Sequence, residues 1–171
     1  MIKADLAFDW KKDYDEAQFF FNWVLDHDDD PFENLLALNG LGSIYLQKDK
    51  HDLASYYFDR IDDQLIKEKN FANNKQTIAI LFNLANFYLL EQNYKKSQKV
   101  IEQALTSSKT YKNFDSVDKI IYLKAYLASI DNKESETEDL IQQAKVFAEF
   151  NADQEIIDAI DYYEKNHQFK K

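Results

Sequence analysis

The side chains with the most readily assigned chemistry are two asparagines, Asn83 and Asn86, in an otherwise apolar helical segment. A side-chain amide carries N–H donors and a carbonyl acceptor, so it can pair with the backbone of an extended peptide. Helical periodicity places both amides on one side, opposite the stripe that contains Leu81, Leu84 and Tyr88. A helix with a single buried stripe would carry Lys and Glu there. The pattern therefore predicts a helix that packs on one face and lines a groove with the other, unless the amides are solvated or bond within the domain.

No pattern of residues indicates catalysis, so we expect a protein that is not an enzyme. The three histidines lie far apart in the sequence, and two glycines cannot build a phosphate-binding loop. Residues 26–30 resemble a calcium loop, but Pro31 stands where that loop needs glycine and Ala37 where it needs glutamate. A solvated loop followed by a helix cap is the preferred interpretation. The sequence predicts neither a metal ion nor a cofactor.

Composition indicates an all-α fold. The 171 residues include only two glycines and one proline, whereas strand-rich folds need turn residues. The length suits one domain with a substantial core. The absence of cysteine removes any disulfide framework and fits a reducing cytoplasm. There is no apolar run of about 18 residues, so no membrane span is expected, and the first residues lack the build of a signal peptide.

The charge is acidic, with 21 Lys and Arg against 31 Asp and Glu and a formal net charge of −10. Binding to a nucleic-acid duplex depends on clustered cations that neutralise phosphates. We therefore expect this chain to be a poor nucleic-acid binder by itself.

Apolar periodicity predicts a series of helix pairs. Asp30 followed by Pro31 is typical of a helix start, while Asn73 with Gln76 and Asn151 with Gln154 resemble capping pairs. The tail 167–171 is expected to fray. The whole chain, 1–171, is predicted to be one repeat domain with pairs at about 3–26, 31–68, 74–112 and 116–150 and a capping helix at about 152–166.

The pairs repeat along the chain. Aligning Ala17, Ala54, Ser97 and Thr137 gives steps of 37, 43 and 40 residues. The motif L-x-x-L-G-x-x-Y at 38–45 and the motif L-x-x-L-A-x-x-Y at 81–88 resemble the tetratricopeptide repeat, whose period is about 34 residues. The signature tryptophan and the closing proline are absent, and longer helices account for the longer period. The resemblance implies a right-handed superhelix whose concave face is lined by the first helix of each pair.

Register then gives a groove-facing set: Ala79, Phe82, Asn83, Asn86 and Leu90; Leu36, Asn39, Gly40, Ser43 and Gln47; and Lys119, Tyr122, Leu123, Tyr126 and Ile130. The residues predicted to bind peptide are Asn83, Asn86, Asn39, Tyr122, Tyr126, Phe82, Leu90, Ser43 and Lys119. Three alternatives stay open. The two tyrosines could belong to the core or the groove wall, Lys119 could be solvated, and Gly40 and Gly42 could serve close helix approach.

A narrower resemblance covers nearly the whole chain. The residues Asn83-Leu84-Ala85-Tyr88, Tyr94-Ser97, Glu102-Ala104-Leu105 and Tyr122-Lys124-Ala125 are similar to motifs in the C-terminal region of PlcR- and Rgg-type regulators. This resemblance implies a cytoplasmic, dimeric receptor for a short signalling peptide in a Gram-positive bacterium. It also implies that Asn83 is the groove asparagine that pairs with peptide backbone; extending that role to Asn86 or Asn39 is our own addition.

One feature of that family has no counterpart here. The helix-turn-helix domain that binds DNA cannot fit before Asp13, so DNA would be contacted only through a domain outside this chain. The chain would be either a part of such a regulator or a stand-alone tetratricopeptide-repeat scaffold that binds a protein partner. The last helix raises a further hypothesis, that Ile156, Ile160 and Tyr163 cover the end of the stack or contact a second subunit.

Overall fold

The computed structural model describes residues 13–67 and 76–169, and all regular structure in those ranges is helical. The all-α prediction is therefore confirmed for the described part. The helices are α1 Tyr14–His27, α2 Pro31–Gln47, α3 His51–Lys67, α4 Gln76–Leu90, α5 Tyr94–Tyr111, α6 Val117–Ile130, α7 Glu134–Asn151 and α8 Gln154–Asn166. The first part of the predicted pair at 3–26 and Asn73 of the predicted capping pair lie outside the described residues. Among the described helices, none has the length and apolarity needed to cross a bilayer.

The chain divides into two compact units, Met1–Phe71 and Ala72–Lys171. In the first unit, α2 packs against both α1 and α3. In the second, each helix packs against the next, and α6 also contacts α4 and α8. The helices α4, α6 and α8 thus form one layer of the second unit. A single repeat domain spanning 1–171 stays a prediction.

The α2–α3, α4–α5 and α6–α7 turns share one backbone conformation. In each, a residue with positive φ follows the first helix: Asp49 (55°), Gln92 (56°) and Asn132 (57°). The next amide then donates to a carbonyl five residues back, as from Asn93 to Tyr88 at 2.8 Å. This is the closing bond of a Schellman-type helix end. Because the same turn recurs, the second helix of each of these pairs begins four residues after the first helix ends.

The repeat alignment is reproduced in the core. Ala17, Ala54, Ser97 and Thr137 are all buried. Each is small, which lets the second helix of a pair approach its neighbours closely. The buried Ser97 hydroxyl donates a hydrogen bond to the carbonyl of Ala85, 2.8 Å away on the preceding helix. Small polar residues therefore fit the buried repeat position when a backbone acceptor is within reach.

The two glycines both serve close packing, and the groove-facing prediction for Gly40 is wrong. A Cβ on Gly40 would overlap the buried ring of Phe21 on α1, whereas a Cβ on Gly42 would come to 3.0 Å from the ring of Phe58 on α3. Register alone placed Gly40 in the groove, but α1 occupies that side of α2.

The last helix begins later than the sequence suggested. Its N-cap is Asp153, whose side chain accepts the backbone N–H of Ile156, and Asn151 ends α7 instead of capping α8. Ile156 and Ile160 are buried in a cluster with residues of α6 and α7, including Ile121 and Ile141. The capping helix therefore covers the end of the α6–α7 pair.

Candidate functional site

The predicted site residues of α4 form its least buried stripe. Eight residues of this helix are buried: Thr77, Ile78, Ile80, Leu81, Leu84, Ala85, Phe87 and Tyr88. Between them, Phe82, Asn83 and Asn86 are partly buried, and Leu90 is 50% exposed. Asn83 also takes part in an interaction within the chain. The stripe thus combines amide groups with apolar surface that is still open to solvent.

In the first unit, two of the predicted site residues lie on α2. Asn39 and Ser43 are partly buried, and Asn39 also interacts within the chain. Both residues belong to the first unit.

On α6 the predicted residues lie on one face, but the chain itself covers much of it. Lys119 forms an ion pair at 3.2 Å with Asp153, the N-cap of α8, and its contact with a ligand stays a prediction. Leu123, which register placed in the groove, is buried, so that prediction is wrong. Tyr122 and Tyr126 are partly buried, and burial raises the pKa of the Tyr122 phenol.

The tail after α8 supplies part of that cover. Phe169 packs edge-on against Tyr122 and Tyr126, with ring centroids 5.3 Å and 5.0 Å away. The prediction of a frayed tail is therefore wrong as far as Phe169. A lone aromatic residue, Phe169, in an otherwise polar segment is a weak sequence signal for such packing.

A polar cluster that the sequence analysis missed joins the start of α6 to the α7–α8 turn. Asp118 is fully buried and accepts a hydrogen bond from the Asn151 amide at 2.9 Å. The same amide nitrogen lies 3.3 Å from the carbonyl of Phe114. Together with the Lys119–Asp153 ion pair, these contacts fix the entry of α6 against the N-cap of α8.

The pKa values of the two carboxyl groups in this cluster are shifted in opposite directions. Burial raises the pKa of Asp118, and the nearby charge of Asp153 adds to the increase. Burial alone would also raise the pKa of Asp153, but the Ile156 N–H and the Lys119 ammonium lower it overall. Asp118 therefore keeps its proton to a higher pH than Asp153, whose charge lies beside the Lys119 ammonium.

We expect Asp118→Asn to increase stability at neutral pH by about 1 kcal/mol, with little change at pH 4. The raised pKa of Asp118 means that its contribution is present at low pH and is lost as the pH rises through the folded-state pKa. An amide is uncharged at both pH values, so it removes the cost of a buried carboxylate. Urea denaturation at both pH values measures the difference. Asp115→Asn, an exposed change in the same loop, controls for the lost charge, and an equal gain in both variants would contradict the raised pKa of Asp118.

Comparisons with known proteins support the fold. No protein-family model matches the chain, and a search of curated proteins found no match. Among solved structures, the chain is similar to PlcR of Bacillus thuringiensis, which was solved in complex with the peptide PapR7 and DNA. The identity is 20%, the TM-score is 0.76, and the match covers 92% of this chain. The chain spans 57% of the length of that PlcR chain. The likeness shows a tetratricopeptide-like, all-helical fold.

Proposed function

We propose that the chain is the peptide-binding regulatory part of a bacterial transcriptional regulator of the quorum-sensing type. The observation that carries the proposal is the stripe of α4 in which Asn83 and Asn86 stand among partly exposed apolar side chains. Amides offer donors and acceptors to a peptide backbone, and the apolar surface offers burial to its side chains. The likeness to PlcR, solved with a peptide and DNA, supports the same conclusion.

The interaction that Asn83 already makes within the chain is compatible with this role. An amide has two N–H donors and a carbonyl with two lone pairs, so one partner leaves capacity for another. An internal interaction would also hold the side chain in place before a ligand arrives, which lowers the entropy lost on binding.

In this proposal the regulator is a cytoplasmic homodimer, and DNA is contacted through a helix-turn-helix domain outside this chain. Peptide binding would shift the population between two arrangements of the helix pairs and so bias the dimer that is offered to DNA. The acidic charge of −10 agrees with a part that does not itself bind DNA.

Asn83→Ala is expected to weaken peptide binding by about 1–3 kcal/mol, because a buried backbone group of the peptide would lose its partner. The probe is a synthetic library of short random peptides, screened for retention on the immobilised chain, with the best binders measured by calorimetry. Gln103→Ala is the matched control, since it removes an exposed amide from the second helix of the same pair. An affinity unchanged by Asn83→Ala would remove Asn83 from the site.

The alternative function is a stand-alone scaffold that binds a protein partner. The feature that favours it is the apolar surface on α7, where Val146 and Phe150 are exposed one helical turn apart. The peptide screen separates the two functions. A regulator of the proposed kind should retain short peptides at micromolar affinity or better, whereas a scaffold that recognises a folded partner should retain none.

A further inference from the structure

The segment after α8 folds back onto α6. Helix α8 ends at Asn166, and His167 adopts the left-handed conformation with φ 49°. Its N–H donates to the carbonyl of Tyr163 at 2.7 Å, which closes the helix end. The reversal turns residues 168–169 back along the helix layer. Without this turn, Phe169 would continue away from α6.

Phe169 is held by three tyrosines, Tyr122, Tyr126 and Tyr163, which we call the tyrosine cage. The centroid of its ring lies 4.7 Å from that of Tyr163, in addition to its edge-on contacts with the two α6 tyrosines. All three distances lie in the range in which aromatic pairs attract beyond simple area burial. The cage is therefore shaped for an aromatic side chain, and the protein itself supplies one.

Open space adjoins the occupied cage. A cavity of about 480 Å³ is bordered by Tyr126, Tyr163 and Phe169 and extends along the α6–α7 turn. Its other walls include Ser129, Asn132 and Thr137. Hydroxyl and amide groups beside an aromatic anchor are what an extended peptide needs for its backbone. The volume is suited to a few residues on either side of an anchoring ring.

We propose that the tyrosine cage is an anchor site for an aromatic side chain of a peptide ligand, and that Phe169 is a resident occupant which the ligand displaces. The inference rests on the proposed function for its ligand, but the cage and its occupant are defined by the contacts of this chain alone. Two of the cage tyrosines, Tyr122 and Tyr126, belong to the set predicted to bind peptide. A tethered occupant would raise the apparent Kd of the ligand, because only the fraction of molecules with an empty cage binds it.

Negative charge around the cage favours a peptide that carries basic residues next to its aromatic residue. Glu134 borders the cavity, and Glu138 lies in the next turn of α7. After burial, their negative charges contribute to the raised pKa of Tyr163. Lys133 also borders the cavity, but it pairs with Asp131 and Glu136. The tail itself follows the same pattern, since Phe169 is followed in sequence by two lysines.

The first experiment tests the cage without any signalling peptide. The probe is a synthetic peptide with the sequence of residues 164–169, EKNHQF, compared with the same peptide ending in alanine. Binding to the full chain is measured by saturation-transfer NMR on the peptide ring. A short tether gives an occupant an effective concentration of millimolar order. We therefore expect Phe169→Ala to bind EKNHQF about tenfold more tightly than the wild type, and to bind the alanine peptide no better.

Controls separate displacement from unfolding. Gln143→Ala, an exposed change on α7 outside the cavity, should leave peptide binding at the wild-type level. The double variant Tyr126→Ala and Phe169→Ala should lose the gain. Circular dichroism of each variant checks that the helices are retained. Equal binding of EKNHQF to the wild type and to Phe169→Ala, or equal binding of both peptides to Phe169→Ala, would overturn the proposal.

The second experiment distinguishes failure of the cage from failure of the proposed function. The library of short peptides is screened on the wild type and on Phe169→Ala. Enrichment of aromatic residues on Phe169→Ala, with affinities about tenfold above the wild type, supports both. Peptides retained equally by both chains, without aromatic preference, would overturn the cage and leave the function standing. A screen that retains nothing would overturn the function, while the EKNHQF result would still decide on the cage.

Discussion

Ile160→Ala is expected to destabilise the second unit by about 2–5 kcal/mol, since the side chain is fully buried and its removal leaves a cavity. Ile160 packs into the cluster formed by α6, α7 and α8. Helix α8 has 13 residues, which is marginal for an isolated helix in water, so it depends on that packing. Urea denaturation followed by circular dichroism measures the loss of stability.

Hydrogen exchange tests where the effect of Ile160→Ala falls. Amides of α8 should lose protection first, because this helix loses its main anchor. The matched control is Tyr162→Ala, two positions away on the same helix and 40% exposed, which should change stability by no more than about 0.5 kcal/mol. If both variants unfolded at the same urea concentration as the wild type, α8 would not be held by the cluster.

Detachment of α8 would also open the tyrosine cage, because this helix carries Tyr163 and ends in the turn that directs Phe169. If α8 detaches in Ile160→Ala, two of the four rings leave α6 together. The variant should then bind EKNHQF no more tightly than the wild type, even though Phe169 has been released. Phe169→Ala behaves differently, since it empties the cage and leaves its walls in place.

Helix positions and core residues were predictable because they follow from short-range patterns. The repeat positions Ala17, Ala54, Ser97 and Thr137 were aligned from spacing alone, and all four are buried. The predicted pair at 74–112 is present as α4 and α5, joined by a turn at Gln92–Asn93. Periodicity in sequence reports which face of a helix is apolar, and each such face must be buried against something.

What covers a face was not predictable from the same patterns. Lys119, Tyr122 and Tyr126 were correctly placed on one face of α6, but the sequence did not reveal that Asp153 and Phe169 would lie against it. Such contacts depend on the path of the chain beyond the helix, here on the positive φ of His167. A histidine can adopt that conformation without being required to, so its presence is a weak signal.

Asp118 shows a second limit of sequence reasoning. A carboxylate in the first turn of a helix ordinarily suggests an exposed residue that interacts favourably with the helix dipole. Here it is fully buried, and its partners Asn151 and Asp153 lie more than thirty residues away. The role of any predicted peptide-binding residue, Asn83 included, stays a prediction until a ligand is measured.

Gly40→Ala is expected to destabilise the first unit by about 1–3 kcal/mol, the usual cost of inserting a methyl group into a packed core. The new Cβ would overlap the Phe21 ring, which is only 1% exposed and has little room to move. The gain in helix propensity from glycine to alanine, about 1 kcal/mol, offsets only part of this cost. Urea denaturation and hydrogen exchange in α1 and α2 measure the result.

Gly42→Ala is the matched control for Gly40→Ala, because it makes the same change two residues later in the same helix. Its Cβ would meet the Phe58 ring at 3.0 Å, a contact that a shift of a few tenths of an ångström relieves. The propensity gain should then roughly cancel the crowding, so stability should change by less than about 1 kcal/mol. If Gly40→Ala proved as stable as Gly42→Ala, the close approach of α1 to α2 would be incorrect. The groove-facing position that register gave Gly40 would then regain support.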